Sequence, residues 1–367
     1  MNFELSMRRK KIYFILPGLT FGGAERIIFT ILNHLDYEKF QLKLILFDKI
    51  GFPVNELNEN IEVQELGTER IRYSVFKILP VIWKEKPDIV FSGWGEISAF
   101  LSPFIPFFKK TKFLARETNV VSQHVTKKEI LFFYKFYNNH QQIICQSDDM
   151  LQDLIENFEI DKEKIIKINN PVDFSAIENK LENATKPETY KEGFKNVVAI
   201  GNLSERKGFD NLLKVFKFLK NEKILLHILG DGKDKELLHQ MKSDFGLENV
   251  IFHGIQKNPY PFLKFADLFV LSSRYEGFPN VLLEAGACGT YALANNCKGG
   301  IHEIIQPKIN GEISDIENHE VFAAKIVEIL EQNHDSEAIK NSIQSRFSKE
   351  MILEKYFEVF ESIVSHR

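Results

Sequence analysis

Residues 276–284 read EGFPNVLLE, two glutamates with seven residues between them. An apolar strand, Leu268–Leu271, precedes them and runs into a polar turn over residues 272–279. Pro279 suits the first position of a helix, and Val281, Leu282, Leu283 and Ala285 continue it. Backbone N–H groups at that helix start have no internal partner. With the helix dipole they make the spot receptive to anions and hydroxyl oxygens. Glu276 then lies on the loop at the strand's carboxyl end and Glu284 about one turn into the helix. Upstream, the apolar strand at 197–200 leads into GNLSERKGF, residues 201–209. A lysine between a strand end and a helix start, as Lys207 is, meets phosphate oxygens that the helix dipole also favours.

The elements that must position these groups alternate. Apolar strands at 12–16, 42–47, 89–91, 112–115 and 143–145 are separated by helical patterns at 24–35, 75–84, 97–108 and 128–138. Repeated β-then-α units predict parallel sheets covered on both faces, with ligands gathering at the carboxyl ends of the strands. A second βα series starts at residue 197 and includes the glycine turn Gly230-Asp231-Gly232. The first strand is followed by Pro17-Gly18-Leu19-Thr20-Phe21-Gly22-Gly23, a loop that allows a ligand close to the backbone. It has no G-x-G-x-x-G and so is not the dinucleotide pattern. The Ser147 hydroxyl or the Asp148 carboxylate is placed to cap a helix. His253, closing an apolar strand, reads as structural.

Bulk properties bound the rest. A chain of 367 residues favours two domains. With 44% hydrophobic and 27% charged residues and a net charge of −4, it has the composition of a soluble globular protein and no basic block of a nucleic-acid binder. Cys145, Cys288 and Cys297 have no metal-ligand spacing and fit a reducing cytoplasm. The apolar run at 12–16 is too short for a signal-peptide core or a membrane span. Phenylalanine is abundant, 33 residues. In segments 100–113 and 127–137 it stands directly against lysines, the pattern of a face that rests on a membrane surface; the alternative is core phenylalanine with a solvated lysine rim.

Glu276 and Glu284 in this context, with Ala285-x-x-Cys288-Gly289-Thr290, resemble the E-x7-E motif of retaining GT-B glycosyltransferases of family 4, the glycosyl transferases group 1. In isolation the two glutamates would read as the flanks of a surface helix. Gly22-Gly23-Ala24-Glu25-Arg26, Arg116-Glu117-Thr118-Asn119, Asn170-Pro171-Val172-Asp173 and Lys207-Gly208 resemble other segments of the family. The resemblance implies two Rossmann-like domains facing a cleft: an acceptor domain over 1–172, a linker over 173–194 and a nucleotide-sugar domain over 195–348. Helix 349–367 would pack back on the first domain.

It further implies that Glu276 touches hydroxyls of the donor sugar and Glu284 the ribose, and that Lys207 carries charge on the leaving diphosphate. Gly22, Gly23, Gly230, Gly232, Gly277, Phe278, Pro279 and Asn280 would surround the nucleotide-sugar, and Arg116 and Asn119 would orient the acceptor or a phosphate, the alternative for both being a purely structural role. The activity expected is a hexosyl- or N-acetylhexosaminyltransferase of the EC 2.4 type. It would use a UDP-sugar without a metal cofactor and act on a glycan or polyprenyl-linked glycan, in the cytoplasm or peripherally at the inner membrane face. Three departures stand out. Asn202 replaces the usual arginine, a loss that Arg206 could offset. Thr118 replaces a histidine and cannot serve as a base. Tyr291 replaces a proline. Asn202 and Thr118 together motivate the alternative of a catalytically silent subunit that binds a partner enzyme.

Overall fold

A computed structural model of the protein describes residues 8–18, 22–48, 53–68, 71–220 and 222–365; Leu19, Thr20 and Phe21 of the first glycine loop lie outside the described residues. The chain forms two compact units, Met1–Asn170 with Ile352–Arg367 and Pro171–Met351.

In the first unit, β1 (Lys10–Leu16), β2 (Phe40–Leu46), β3 (Ile61–Glu65), β4 (Ile89–Ser92), β5 (Lys112–Arg116), β6 (Gln142–Cys145) and β7 (Ile165–Lys167) form one sheet in the order β3-β2-β1-β4-β5-β6-β7. All its pairings are parallel. Side-chain alternation sends Ile12, Phe14 and Leu16 of β1 to one core layer and Tyr13 and Ile15 to the other. Both faces are therefore covered, which is why these strands read as continuous apolar runs. The C-terminal helix Lys349–Ser365 places Ile352, Tyr356 and Phe360 in the layer with Phe14 and Phe91.

The second unit repeats the plan with β8 (Lys195–Ile200), β9 (Ile224–Leu229), β10 (Val250–Gly254), β11 (Leu268–Leu271), β12 (Ala292–Asn295) and β13 (Gly311–Ser314), ordered β10-β9-β8-β11-β12-β13 and parallel throughout. Each unit is thus a doubly wound, Rossmann-like sheet, the architecture expected of a GT-B chain. The strand order reverses between β1 and β4 in the first unit and between β8 and β11 in the second, and ligands of open α/β sheets bind at such reversals.

Several local expectations change. The stretch 173–194 is part of the second unit: helix Phe174–Leu181 is capped by Asp173, and Ile177 and Tyr190 are buried in the core with Val198 and Leu282. Phe174, Ile177 and Leu181 do have helical spacing, but over only two turns and among Glu, Lys and Asn residues, which hid the helix. The helix expected over 97–108 is helical only at Gly95–Leu101 and continues as a 3-10 stretch, Ser102–Phe107, because Pro103 and Pro106 interrupt it. That over 128–138 ends at Tyr134. Ser147 caps helix Asp148–Phe158, its hydroxyl accepting from the Met150 N–H at 3.3 Å. Among the described residues no helix is long and apolar enough to cross a membrane.

Candidate functional site

At the reversal between β8 and β11, the loops leaving these two strands are tied together. The Ser272 hydroxyl donates to the Lys207 carbonyl at 2.8 Å, and the Arg274 N–H to the Arg206 carbonyl at 2.8 Å. Gly208, between Lys207 and the helix Phe209–Phe216, has φ +64°, and a Cβ there would stand 2.1 Å from the Ser272 carbonyl oxygen. Only glycine meets both conditions. The Arg274 guanidinium closes the arrangement with two 2.8 Å bonds to the Asp210 carboxylate.

This lashing brings together side chains almost seventy residues apart. Glu276, 4% exposed, accepts from Lys207 Nζ at 2.5 Å, from Arg206 Nη1 at 2.7 Å and from the Ser273 hydroxyl at 2.6 Å. Burial alone would raise its carboxyl. Lys207 and Arg206 outweigh burial and hold it below the usual range. The Lys207 stem passes over Gly201, where an added Cβ would lie 3.3 Å from Lys207 Cδ. Arg206 also stacks its guanidinium over the Tyr275 ring, 5.8 Å from the centroid. Two cations and an ionised carboxylate thus converge at the sheet's ligand-binding end. The carboxylate can accept from hydroxyls, and the cations can meet phosphate oxygens.

The other expected residues fall around this cluster in different roles. Glu284 is half-buried on helix Asn280–Ala287, which begins one residue after Pro279. Phe278 is a core side chain, edge-on to Phe347 and lying where a Cβ on Gly300 would be, so only its backbone is left for a ligand. Gly277 accepts from the Gly300 N–H at 2.8 Å. Gly230 and Gly232 answer to the neighbouring loop: a Cβ on either would stand 1.9 Å from the Gly201 carbonyl oxygen or 2.4 Å from that of Leu203. Asn202 lies against Gly232. Tyr291 fills the place of the family's proline by stacking on His334, centroids 3.8 Å apart. His253 bonds His227, which bonds Asn196, at 3.0 and 3.1 Å, and burial pushes His227 down to about 3. That pair is structural.

In the first unit, Gly22 caps the helix Gly23–His34. Arg116, expected to face an acceptor, is 1% exposed and donates to the Tyr356 hydroxyl at 3.1 Å and the Asn170 side chain at 2.8 Å. It joins β5 to the C-terminal helix. Asn119 lines a small pocket with Trp94, Glu96, Glu117, Thr118 and His124. Glu117 was not singled out from sequence. It is buried, accepts from the Tyr134 and Tyr137 hydroxyls, and burial raises it to about 7. Both tyrosines lie more than fifteen residues away, so nothing local announced the cluster. Among the described residues no group of three or more His, Cys, Asp or Glu is disposed to hold a metal ion.

Comparison with known proteins gives the family. The profile of the family described as "Glycosyl transferases group 1" matches residues 182–346. An uncharacterized glycosyltransferase of Methanocaldococcus jannaschii, MJ1059, is 31% identical over 270 residues, 69% of this chain and 66% of that protein. The N-acetylgalactosamine-N,N'-diacetylbacillosaminyl-diphospho-undecaprenol 4-alpha-N-acetylgalactosaminyltransferase of Campylobacter jejuni is 25% identical over 92% of this chain and 94% of its own. In fold, the chain is similar to Anabaena Alr3699/HepE, solved in complex with UDP, with a TM-score of 0.78 at 19% identity over 96% of this chain and 100% of that one. It is likewise similar to the apo lipopolysaccharide outer core galactosyltransferase WaaB, with a TM-score of 0.74 at 21% identity over 96% and 99%. The chain belongs to the glycosyl transferases group 1 and is a glycosyltransferase of the GT-B fold.

Proposed function

We propose that the chain transfers a hexose or N-acetylhexosamine from a UDP-sugar to a hydroxyl of a glycan or polyprenyl-linked glycan in surface-polysaccharide synthesis. Transfer would retain the anomeric configuration and take place at the inner face of the cytoplasmic membrane. The observation that carries the reading is the Lys207–Glu276–Arg206 cluster at the strand reversal. A nucleotide-sugar presents sugar hydroxyls and a diphosphate in one small molecule, and this cluster offers a carboxylate beside two cations. On donor binding, Glu276 takes sugar hydroxyls, Lys207 and Arg206 turn to the diphosphate, and Glu284 takes the ribose. The Campylobacter relative, whose name specifies a diphospho-undecaprenol acceptor, and the UDP complex of HepE support the choice of acceptor class and carrier.

Catalysis in this reading is positioning and electrostatics. Lys207 and Arg206 offset charge that grows on the leaving diphosphate, and no metal cofactor is assigned to the site. Thr118 cannot accept a proton at neutral pH. By analogy with the family, the departing diphosphate oxygen takes the acceptor's proton as the new glycosidic bond forms on the face the diphosphate leaves. Asn119 and its pocket would orient the acceptor. Slow hydrolysis of the donor, followed by proton NMR, tests the stereochemistry without knowledge of the acceptor: an α-linked UDP-sugar should release the α anomer first. Initial release of the β anomer would rule out retention.

A further inference from the structure

The outward face of helix Ile71–Glu85 is aromatic. Val75, Ile78 and Ile82 point into the core, while Tyr73, Phe76 and Trp83 point out, Phe76 and Trp83 being 65% and 63% exposed. A helix packed on one face normally turns polar residues outward. The stripe continues onto neighbouring elements. Phe104 and Phe108 meet Phe76 and Trp83 at ring distances of 6.2 and 5.8 Å, and Phe107 beside them is 69% exposed. Phe100 meets Phe133 at 4.7 Å, and next to Phe133 on and after helix Lys128–Tyr134, Phe132 and Phe136 are exposed with their rings 5.8 Å apart. Among the described residues, every exposed aromatic except Phe218 belongs to this one face of the first unit. An apolar surface of this continuity marks an interaction site.

Its charges identify the partner. Lys84, Lys109, Lys110, Lys128 and Lys135 are exposed within the same segments, and Lys135 Nζ sits 5.6 Å from the Phe132 ring. Opposing them, Glu129 is exposed, while Glu85 is engaged by Lys43 at 2.7 Å. Protein–protein interfaces are depleted in lysine and draw on arginine. Here the cations described are lysines on long flexible stems, with phenylalanine, tyrosine and tryptophan between them. That combination suits a headgroup layer, where rings enter the acyl boundary and ammonium groups meet lipid phosphates. We propose that this face, built from the helix Ile71–Glu85, the Ser102–Phe107 stretch and the helix Lys128–Tyr134, seats the first unit on an anionic bilayer. It deepens the reading of a membrane-borne acceptor by naming the surface that docks.

The test uses the full chain with vesicles of phosphatidylcholine alone or mixed with phosphatidylglycerol. The protein should co-sediment with the anionic vesicles, weakly with the neutral ones, and less at high salt. Tryptophan emission should shift to the blue on binding, and Trp83→Phe should remove most of the shift while keeping the binding, leaving Trp94 as the second of the chain's two tryptophans. Phe76→Ser with Phe107→Ser should weaken partitioning by about tenfold or more. Lys109→Gln with Lys110→Gln should weaken it by about fivefold per residue. Absence of binding to anionic vesicles, or undiminished binding in these variants, would overturn the proposal. So would a solution dimer that Phe76→Ser dissolves, since a second copy would then occupy the face. UDP-induced stabilisation of the same variants reads the donor site separately, so failure on vesicles and failure of the transferase reading give different results.

Discussion

Glu276 is the residue on which the donor site turns, and its surroundings differentiate the two cations beside it. Lys207 is almost wholly buried and Arg206 more than a quarter exposed. Removing Lys207 leaves a buried carboxylate with only the partly exposed Arg206 and the neutral Ser273 hydroxyl, whereas removing Arg206 leaves the shorter, buried Lys207 contact intact. Lys207→Met should therefore cost about 3 kcal/mol of stability and Arg206→Met distinctly less, measured by urea unfolding. Each should lower kcat by about a hundredfold or more if both cations meet the leaving diphosphate. Loss of stability with unchanged kcat in Arg206→Met would confine that residue to holding Glu276. The motif named Glu276, Glu284 and Lys207 as candidates; the bond between Glu276 and Lys207 was not legible, since it joins the loops after two strands that only the fold brings side by side. Arg116 illustrates the opposite case. The motif left it open between orienting acceptor or phosphate and a structural role, and Tyr356 and Asn170, to which it bonds, are 240 and 54 residues away.

At the scale of elements, the turn carrying Arg206 and Lys207 is braced by Arg274, whose guanidinium holds Asp210 bidentately while its backbone holds Arg206. Lysine cannot reproduce two parallel bonds from one planar group. Arg274→Lys should leave far-UV circular dichroism unchanged and lower kcat by about tenfold, with Asp210→Asn doing the same and the double variant no worse than either. Additive losses in the double variant would show that the two residues do not act as one brace. Most strands and helices were legible because buried parallel strands read as apolar runs and their helices as 3.6-residue periods. Those missed have physical reasons. In β3 (Ile61–Glu65) three of five residues are polar, as befits an edge strand. The helix Ser336–Phe347 hides its apolar positions among polar ones, and prolines at 103 and 106 converted an expected α-helix into a 3-10 stretch.

Across the whole molecule, one plan is used twice: a doubly wound parallel sheet whose strand order reverses next to its first strand. The chain passes between the units twice, and in the second unit both passages run together. Val172 donates to the Phe347 carbonyl at 2.8 Å, Lys349 N–H returns to the Val172 carbonyl at 3.0 Å, and Lys349 Nζ pairs with Asp173 at 2.9 Å. The last helix then completes the core of the first unit, so that unit's stability depends on residues at both ends of the sequence. In the proposed reaction the reversal between β8 and β11, in the second unit, holds the nucleotide-sugar. Thermal unfolding of the full chain across UDP, GDP, ADP and their sugars tests it most directly, because a ligand at one hundred times its dissociation constant stabilises the native state by about 2.7 kcal/mol. Tm should rise with UDP and UDP-sugars, and Glu284→Ala should abolish the rise. No rise with any nucleotide, or a full rise in Glu284→Ala, would contradict the proposal.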